Sequence, residues 1–549
     1  MKRVLIILVT MCLSLSMSVL AFSAKTKEKK NETKTPEVSE TEVAANEEEI
    51  VIQDPSVILA PGAIPNELGL EVLIVNGIGS VDSVKVQTVK GADYLFLPAN
   101  ANTDSLVFSY KAETVLFIEK GDDLIPISPD TPFDITPYYS KKGADGSFVI
   151  KLQAALTDGT YKEYVLTVMQ SANIASLFVT SDDPVKKGLF YVESVKGNKG
   201  SGKLDLVNAD NSVVYSGVMS QIKGRGNSTW AGFKKPFQIK LPNAFDLCQT
   251  GDPKNASKTW VLLANAYDAT LARNVAAFDM AHAMGIEAPD YKPVDFYYDG
   301  MYLGSYLITE KVEASKGLVN IDKNGYLLEM DIAYYAQEDN YFVDVTGTPF
   351  VIKNPEECSE EKISYIKNYM DSAMSCAING GTDPNTGLSV WDYIDMDSLA
   401  RYYVFMQLVK NPDAFFSSTY FYLPSDGKLM AGPAWDYDSS FGVVTLNNYK
   451  STTGFVNSDG WMSYFLNLPE FKTAIKEAQR KYGSPAALKE QSKVSSYVSI
   501  IGKSRKMNDA LWRGIDQKYY TLPTYEQNVV YLKNYISGRN SYMNSHIGR

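Results

Sequence analysis

Short runs with apolar and polar positions in alternation fill the first third of the chain. "YLFLP", "SLVFSY", "VLFIE", "SFVIKL" and "EYVLTV" are rich in β-branched and aromatic residues, with Gly, Asp, Asn and Pro between them. A period of two predicts strands, and no helical spacing interrupts it between about residues 51 and 172. The pattern predicts a small all-β sandwich of the immunoglobulin-like kind. No cluster in it points to chemistry, so its expected role is a spacer or adhesive module.

The texture changes near residue 173. Strands are expected through "GLFYVESV", "LDLVN" and "FQIKL". "ATLARNVAAFDMAHAMG" then sets Leu271, Val275, Phe278 and Ala281 at helical spacing, with Gly285 as a stop. "VDFYYDG" and "MYLGSYLITE" read as a hairpin turning at Asp299 and Gly300. Beyond about residue 360 helices dominate, in "EKISYIKNYMDSAMSC", "DMDSLARYYVFMQLVK" and three or four segments after 468. A strand-rich half followed by a helix-rich half predicts an α+β domain of two lobes over 173–549, with a cleft between them for a ligand.

At the start, Lys2 and Arg3 precede an uncharged run to Ala24, and "AFSA" offers small residues for cleavage. This is the pattern of a secretory signal peptide over 1–24. The expected product is secreted or displayed at the cell surface, with no transmembrane segment in the mature chain. Residues 25–50 are rich in Lys, Glu and Thr and lack aromatics, which predicts a disordered linker. The net charge of −11 over 549 residues argues against a nucleic-acid partner. Two histidines, His282 and His546, leave little room for histidine catalysis or a histidine-rich metal site. Past the leader the cysteines are Cys248, Cys358 and Cys376, an odd number that excludes a full disulfide framework while leaving Cys358 and Cys376 free to pair.

Four stretches carry candidate chemistry. "IKGRGNSTW" (222–230) surrounds Arg225 with Gly224 and Gly226, and small polar residues beside glycines can turn backbone N–H groups toward an anion. An ordinary turn fits as well. "KKPFQIKL" (234–241) puts Gln238 and Lys240 on one strand face, where Lys240 can reach a phosphate or simply meet solvent. "KNPDAFFSSTYFYL" (410–423) places Asp413 between a helix and a strand, in position to accept a hydroxyl proton or to end the helix. In "GPAWDYDSSFG" (432–442), Asp436 and Asp438 share a face if the stretch is extended. Two acids side by side amid aromatics favour a divalent cation with oxygen ligands, Mg²⁺ or Mn²⁺. A phosphate-reaching lysine, a loop acid and a metal-holding acid form the set that phosphoryl transfer needs. Asp413 and Asp436 stand 23 residues apart.

These stretches, together with "WVLLANAYDATLARNVAAFDMAHAMG", "DGMYLGSYLITEKVE" and "YLLEMD", resemble in order the spore-coat protein H (CotH) kinase-like family over roughly 180–450. The resemblance implies an atypical protein-kinase-like fold and ATP-dependent phosphorylation of exported or surface proteins with Mg or Mn. It matches Asp413 to the catalytic-loop aspartate and Asp436 to the metal-binding aspartate, with Asp438 beside it. It matches Lys240 to the nucleotide lysine, with Lys235 as rival, and Arg225 and Asn227 to the Arg-Gly-Asn signature. Glu310 falls where the family has the hinge between lobes at the nucleotide, or a residue that helps with the metal. Five residues after the catalytic aspartate, where kinases carry a metal-binding Asn, this chain has Ser418.

Two other classes fit parts of the pattern. One is a catalytically weak kinase-like module that binds protein or polysaccharide at the surface, suited by 36 tyrosines. The other is a glycan hydrolase using the paired acids. The acceptor and the oligomeric state are not encoded in any motif.

Overall fold

Alternation along the first strands builds two sheets that share one core. The structure is a computed structural model that describes residues 63–111, 114–155, 159–443, 447–512 and 522–548. The chain divides into Met1–Ile52 and Gln53–Arg549; the expected leader and linker lie outside the described residues. One sheet runs, in spatial order, Ala63–Pro65, Gln87–Val89, Ala92–Leu97, Tyr161–Gln170, Phe148–Ala155, Val115–Lys120 and Asp123–Ile127. The other runs Val81–Lys85, Glu71–Val75, Leu106–Ser109 and Pro132–Phe133. Inward residues such as Val72, Phe108, Leu116, Ile118 and Ile150 are fully buried, as a period of two requires.

The core of these sheets does not close on itself. It takes in Phe178, Val207, Tyr297 and Tyr302 from the next layer and Met507 and Leu511 from a late helix. Gln87 Oε1 accepts from the Tyr302 N–H at 2.8 Å, and Gln87 Nε2 donates back to the Tyr302 carbonyl at 3.2 Å.

That next layer is a closed barrel of seven strands: Ala175–Ser181, Lys199–Val207, Val213–Gly224, Phe237–Phe245, Ser257–Leu263, Met301–Glu310 and Tyr291–Tyr298. Leu204, Met219, Ile222, Phe237, Ile239, Trp260 and Phe296 fill its interior. Asp299 and Gly300 both take positive φ (49° and 81°), as the tight hairpin turn demands.

"GLFYVESV" is not a strand. Leu189–Ser194 is a short helix whose first N–H donates to Asp299 Oδ2 at 3.0 Å, and Leu189 and Val192 bury one turn apart. An aromatic-rich run of this length reads equally well either way, and a cap from 110 residues downstream settles it.

The helical half packs as one core. Helix Arg273–Ala283 lies against the Val261 and Leu307 face of the barrel, and Gly285 (φ 67°) ends it. A five-stranded sheet follows, in the order Tyr341–Val343, Pro349–Asn354, Tyr326–Met330, Thr419–Leu423 and Met430–Ala431. It packs with helices Glu360–Ile378, Met396–Val409, Pro469–Ala478, Ser484–Ile500 and Tyr525–His546. A mixed α+β architecture is what the pattern predicts. Cys248, Cys358 and Cys376 are separate thiols. Cys358 precedes helix Glu360–Ile378 and Cys376 sits in its last turn, so about 24 Å of helix keeps them from pairing. Among the described residues no helix is long and apolar enough to cross a membrane.

Candidate functional site

Three loops converge where the barrel meets the helical half. The first follows helix Met396–Val409, which ends on Lys410 with left-handed φ (50°). Asn411 then serves two loops: its Oδ1 accepts from the Asp413 N–H at 3.1 Å, and its Nδ2 donates to the Asp436 carbonyl at 3.3 Å. Phe415 and Ser418 also take positive φ (54° and 48°), folding the loop back into strand Thr419–Leu423. Ser417 Oγ donates to Asp331 Oδ1 at 2.8 Å, which brings the end of strand Tyr326–Met330 beside Asp413.

The second loop carries Asp436, whose φ of 67° is strained for a residue with a side chain. The peptide after it is held from both ends. Asn274 Oδ1 accepts from the Tyr437 N–H at 2.8 Å, and Asn411 donates to the carbonyl on the other side. Asn274 is itself oriented by Asn265 at 2.9 Å. Arg273 donates to the Ser440 carbonyl at 3.1 Å and pairs with Asp268, both side chains fully buried. Asp268 Oδ2 also accepts from the N–H groups of Ala272 and Arg273, which start the helix. The "NAYDATLARN" segment thus fixes the acidic loop through residues to which sequence reading assigned no role.

The third loop is "KGRGN". Strand Val213–Gly224 ends there, and a Cβ on Gly224 would come within 2.2 Å of the Trp230 ring, so only glycine fits. Arg225 places its guanidinium over the Trp435 ring, 5.4 Å from the centroid. It makes no ion pair or side-chain hydrogen bond with a described residue.

The electrostatics of the three loops are unbalanced. No described residue donates a hydrogen bond to the carboxylate of Asp413, Asp436 or Asp438. Burial pushes the Asp413 carboxyl up to about 7, with Asp436 and Asp331 adding to it. Burial raises Asp436 as well, against the pull of Arg225. Asp438 is raised most, by burial and then by Asp436, Asp268 and Asp413.

A row of cations continues from Arg225 along the outside of the barrel. Lys223, two residues before Arg225, faces Lys199 across one strand pair and Gln238 across the other. Burial lowers Lys223, and Lys199, Lys240, Lys311 and Lys196 crowd it. Lys240 is exposed in this row and stands farther from the acids than Arg225 along its strand pairing. Asn227 is exposed and accepts from Lys196 Nζ at 3.0 Å. Lys235 turns away, donating to the Trp230 carbonyl at 2.7 Å and lying over the Trp230 ring. Glu310 is buried among Asp290 and Asp246, apart from the three loops, and burial raises its carboxyl to about 7. The structure brings Arg225, Asp413, Asp436 and Asp438 together, with Ser418 at the loop's end; it does not bring Lys235 or Glu310 there. Lys223 and Asp331 were missed by sequence reading. Strand alternation from Arg225 was the available signal for Lys223.

Among the described residues no three His, Cys, Asp or Glu side chains enclose a metal position. The donors present are nonetheless hard oxygens with unused hydrogen-bonding capacity. Mg²⁺ is ordinarily held by one or two carboxylates completed by substrate phosphates, not by an all-protein cage. Asp436 and Asp438 fit such a partial site.

The family model described as CotH kinase protein matches residues 222–543, more than half of the chain, and the chain belongs to this family. No curated protein sequence matches it. Among solved structures, one similar to it is the Shewanella oneidensis MR-1 toxin–antitoxin complex of HipA, HipB and operator DNA. The identity is 11% and the TM-score 0.28, over 57% of this chain and 64% of that one. The chain therefore spans just under two thirds of that protein, and the likeness carries no argument.

Proposed function

We propose that the protein is an exported, atypical protein kinase of two lobes, preceded by an immunoglobulin-like module at 51–172, that transfers phosphate from ATP to hydroxyls of exported or surface proteins. One observation carries this reading. Unpaired carboxylates and an unpaired guanidinium lie side by side, and a phosphate chain carrying a divalent cation complements both. Asp436 and Asp438, with Ser418 at the loop's end, would hold Mg²⁺ or Mn²⁺, which supplies charge neutralisation on the phosphates when bound. Arg225 and Lys223 bind and orient the phosphates from the barrel side, with Lys240 farther along the row. Asp413 accepts the proton of the acceptor hydroxyl on its carboxylate. Its raised proton affinity, near 7, suits that exchange at neutral pH. Trp435 and Phe441 exclude water behind the acids.

Intact-mass analysis after incubation with ATP and Mg²⁺ or Mn²⁺ tests the reading. Added phosphate on the chain or on a protein acceptor, absent in Asp436→Ala, is the expected result. A protein that binds no nucleotide by calorimetry overturns it. A second reading, nucleotide binding without transfer at a surface-binding module, is favoured by Ser418 in place of a metal-binding Asn. Binding with no transfer to any acceptor selects that reading.

A further inference from the structure

A separate cavity of about 320 Å³ opens beside the loop that carries Asp413. Phe415 and Phe416 of that loop line it together with Ile332, Trp461 and Tyr464. The walls are tied to the site. Asn457 Nδ2 donates to the carbonyls of Pro412 and Ala414, each at 2.8 Å, on either side of Asp413. The Ile332 N–H donates to the Phe416 carbonyl at 2.9 Å.

The chemistry of the cavity is unlike that of the acidic cleft. Among the described residues no Lys or Arg lines it, and Thr346, Thr348, Asn457 and Ser463 set neutral polar groups between its aromatic walls. Trp461 spends its one donor on Asp344 at 3.2 Å, leaving an apolar ring toward the cavity. Ile332 and Phe416, large apolar side chains of the lining, are 40% and 43% exposed. Asp459, also in the lining, has no hydrogen bond or ion pair to a described residue. Its charge and that of Asp413 both act on the Tyr449 hydroxyl, so the cavity lies within electrostatic reach of the proposed base. The volume is at the floor of the range for small-molecule pockets, room for one or two side chains.

We infer that this cavity is an acceptor subsite, taking an apolar side chain that lies close in sequence to the phosphorylated Ser or Thr of a polypeptide, while Asp459 accepts a backbone N–H of that polypeptide. A hole with aromatic walls beside an unused acceptor matches an extended peptide, whose side chains and N–H groups alternate at that spacing. The inference rests on the phosphotransferase reading.

Gly460 lines the cavity, has no atom within 4 Å of where its Cβ would stand, and does not need a left-handed φ. Gly460→Leu therefore fills the space with little cost to the fold. The test uses the whole protein with single-Ser peptides carrying Ala, Leu, Phe or Asp at each of the three positions on either side. Dephosphorylated casein serves as a general acceptor, and ATP binding is followed by calorimetry. The unmodified protein is expected to prefer Leu or Phe over Ala at one position by about tenfold in kcat/KM. Gly460→Leu should erase that preference through KM, with ATP affinity unchanged. Phosphorylated casein together with a flat peptide preference, or a preference untouched by Gly460→Leu, overturns the subsite and leaves the kinase reading standing. Bound ATP with no phosphate on casein or any peptide overturns both.

Discussion

Carboxylates crowd together in two regions of this molecule, fully buried in one and buried or half-buried in the other, with opposite outcomes. Asp82 and Asp205 meet where the first sheets lie on the barrel, 3% and 1% exposed. There, Asp205 Oδ2 accepts from Asn76 (3.3 Å), Ser80 (2.8 Å) and Lys203 (2.6 Å). Burial and Asp205 push the Asp82 carboxyl up to about 7. The remaining oxygens, Asp82 Oδ2 and Asp205 Oδ1, have no other donor, so a proton kept on the pair satisfies them. The cluster is closed within the chain. Among the described residues Asp413, Asp436 and Asp438 have no lysine, serine or amide donors, and Arg225 approaches without pairing. Burying charge without partners is expensive, and a fold keeps such a group where a ligand completes it. The difference separates acids whose partners lie within the fold from acids to which no described residue donates.

The comparison breaks most sharply at Asp413. Asp413→Asn should lower phosphate transfer by roughly 10²–10⁴-fold, measured as phosphate incorporated per minute at saturating ATP, with a melting temperature unchanged or higher. A melting point lowered along with activity would make Asp413 a structural acid like Asp205.

Removing the first sheets is the next largest effect. A fragment of residues 173–549 uncovers Phe178, Tyr297, Tyr302 and Met507, each contributing about 1.5–3 kcal/mol when buried. The fragment should still unfold cooperatively, but at a melting temperature lower by about 10 °C or more. Equal melting temperatures would show that the shared core stabilises only the sheets.

The closed pair can be opened by pH. Asp82 binds its proton more tightly folded than unfolded, so the folded state holds the extra proton between about pH 4 and pH 7. Stability falls as pH rises through that window. Asp82→Asn cannot ionise and supplies its own donor. It should flatten this slope and add up to about 4 kcal/mol at pH 8, read from urea unfolding at pH 5 and pH 8. A slope unchanged by the substitution would place the titration elsewhere.

The smallest effect concerns the Asp436 peptide. Asn274→Ala removes the acceptor for the Tyr437 N–H and should lower kcat by about tenfold, with the KM for acceptor unmoved. Asn274→Asp, which restores the acceptor oxygen, should recover part of it. A change in stability without a change in kcat would leave Asn274 as an ordinary helix residue.

Local pattern was sufficient for much of the architecture. Alternation marked the strands of the first sheets, and Asp-Gly marked the hairpin at 299–300. Helical spacing found the helix that starts at Arg273, although its quoted stretch began earlier, at Ala269. Leu271 takes φ 57° and lies outside the helix, since Asp268 caps it from that side. Asp413, Asp436 and Asp438 were legible because acids beside aromatics are costly wherever the loop comes to rest.

What sequence by itself determined is therefore what neighbours in the chain decide: periodicity, turn chemistry, and acids placed among apolar residues. The rest was decided by contacts between distant segments. Asn274 meets Tyr437 across 163 residues, Ser417 meets Asp331 across 86, and Asp299 caps the Leu189 helix across 110. Lys240 and Lys235 are alike as local motifs, and only the pairing of the barrel strands set Lys240 farther along the row from Arg225 while Lys235 turned onto Trp230. A side chain's partner depends on where two backbones cross, and that crossing is set by burial of the whole core, which no single stretch of the chain contains.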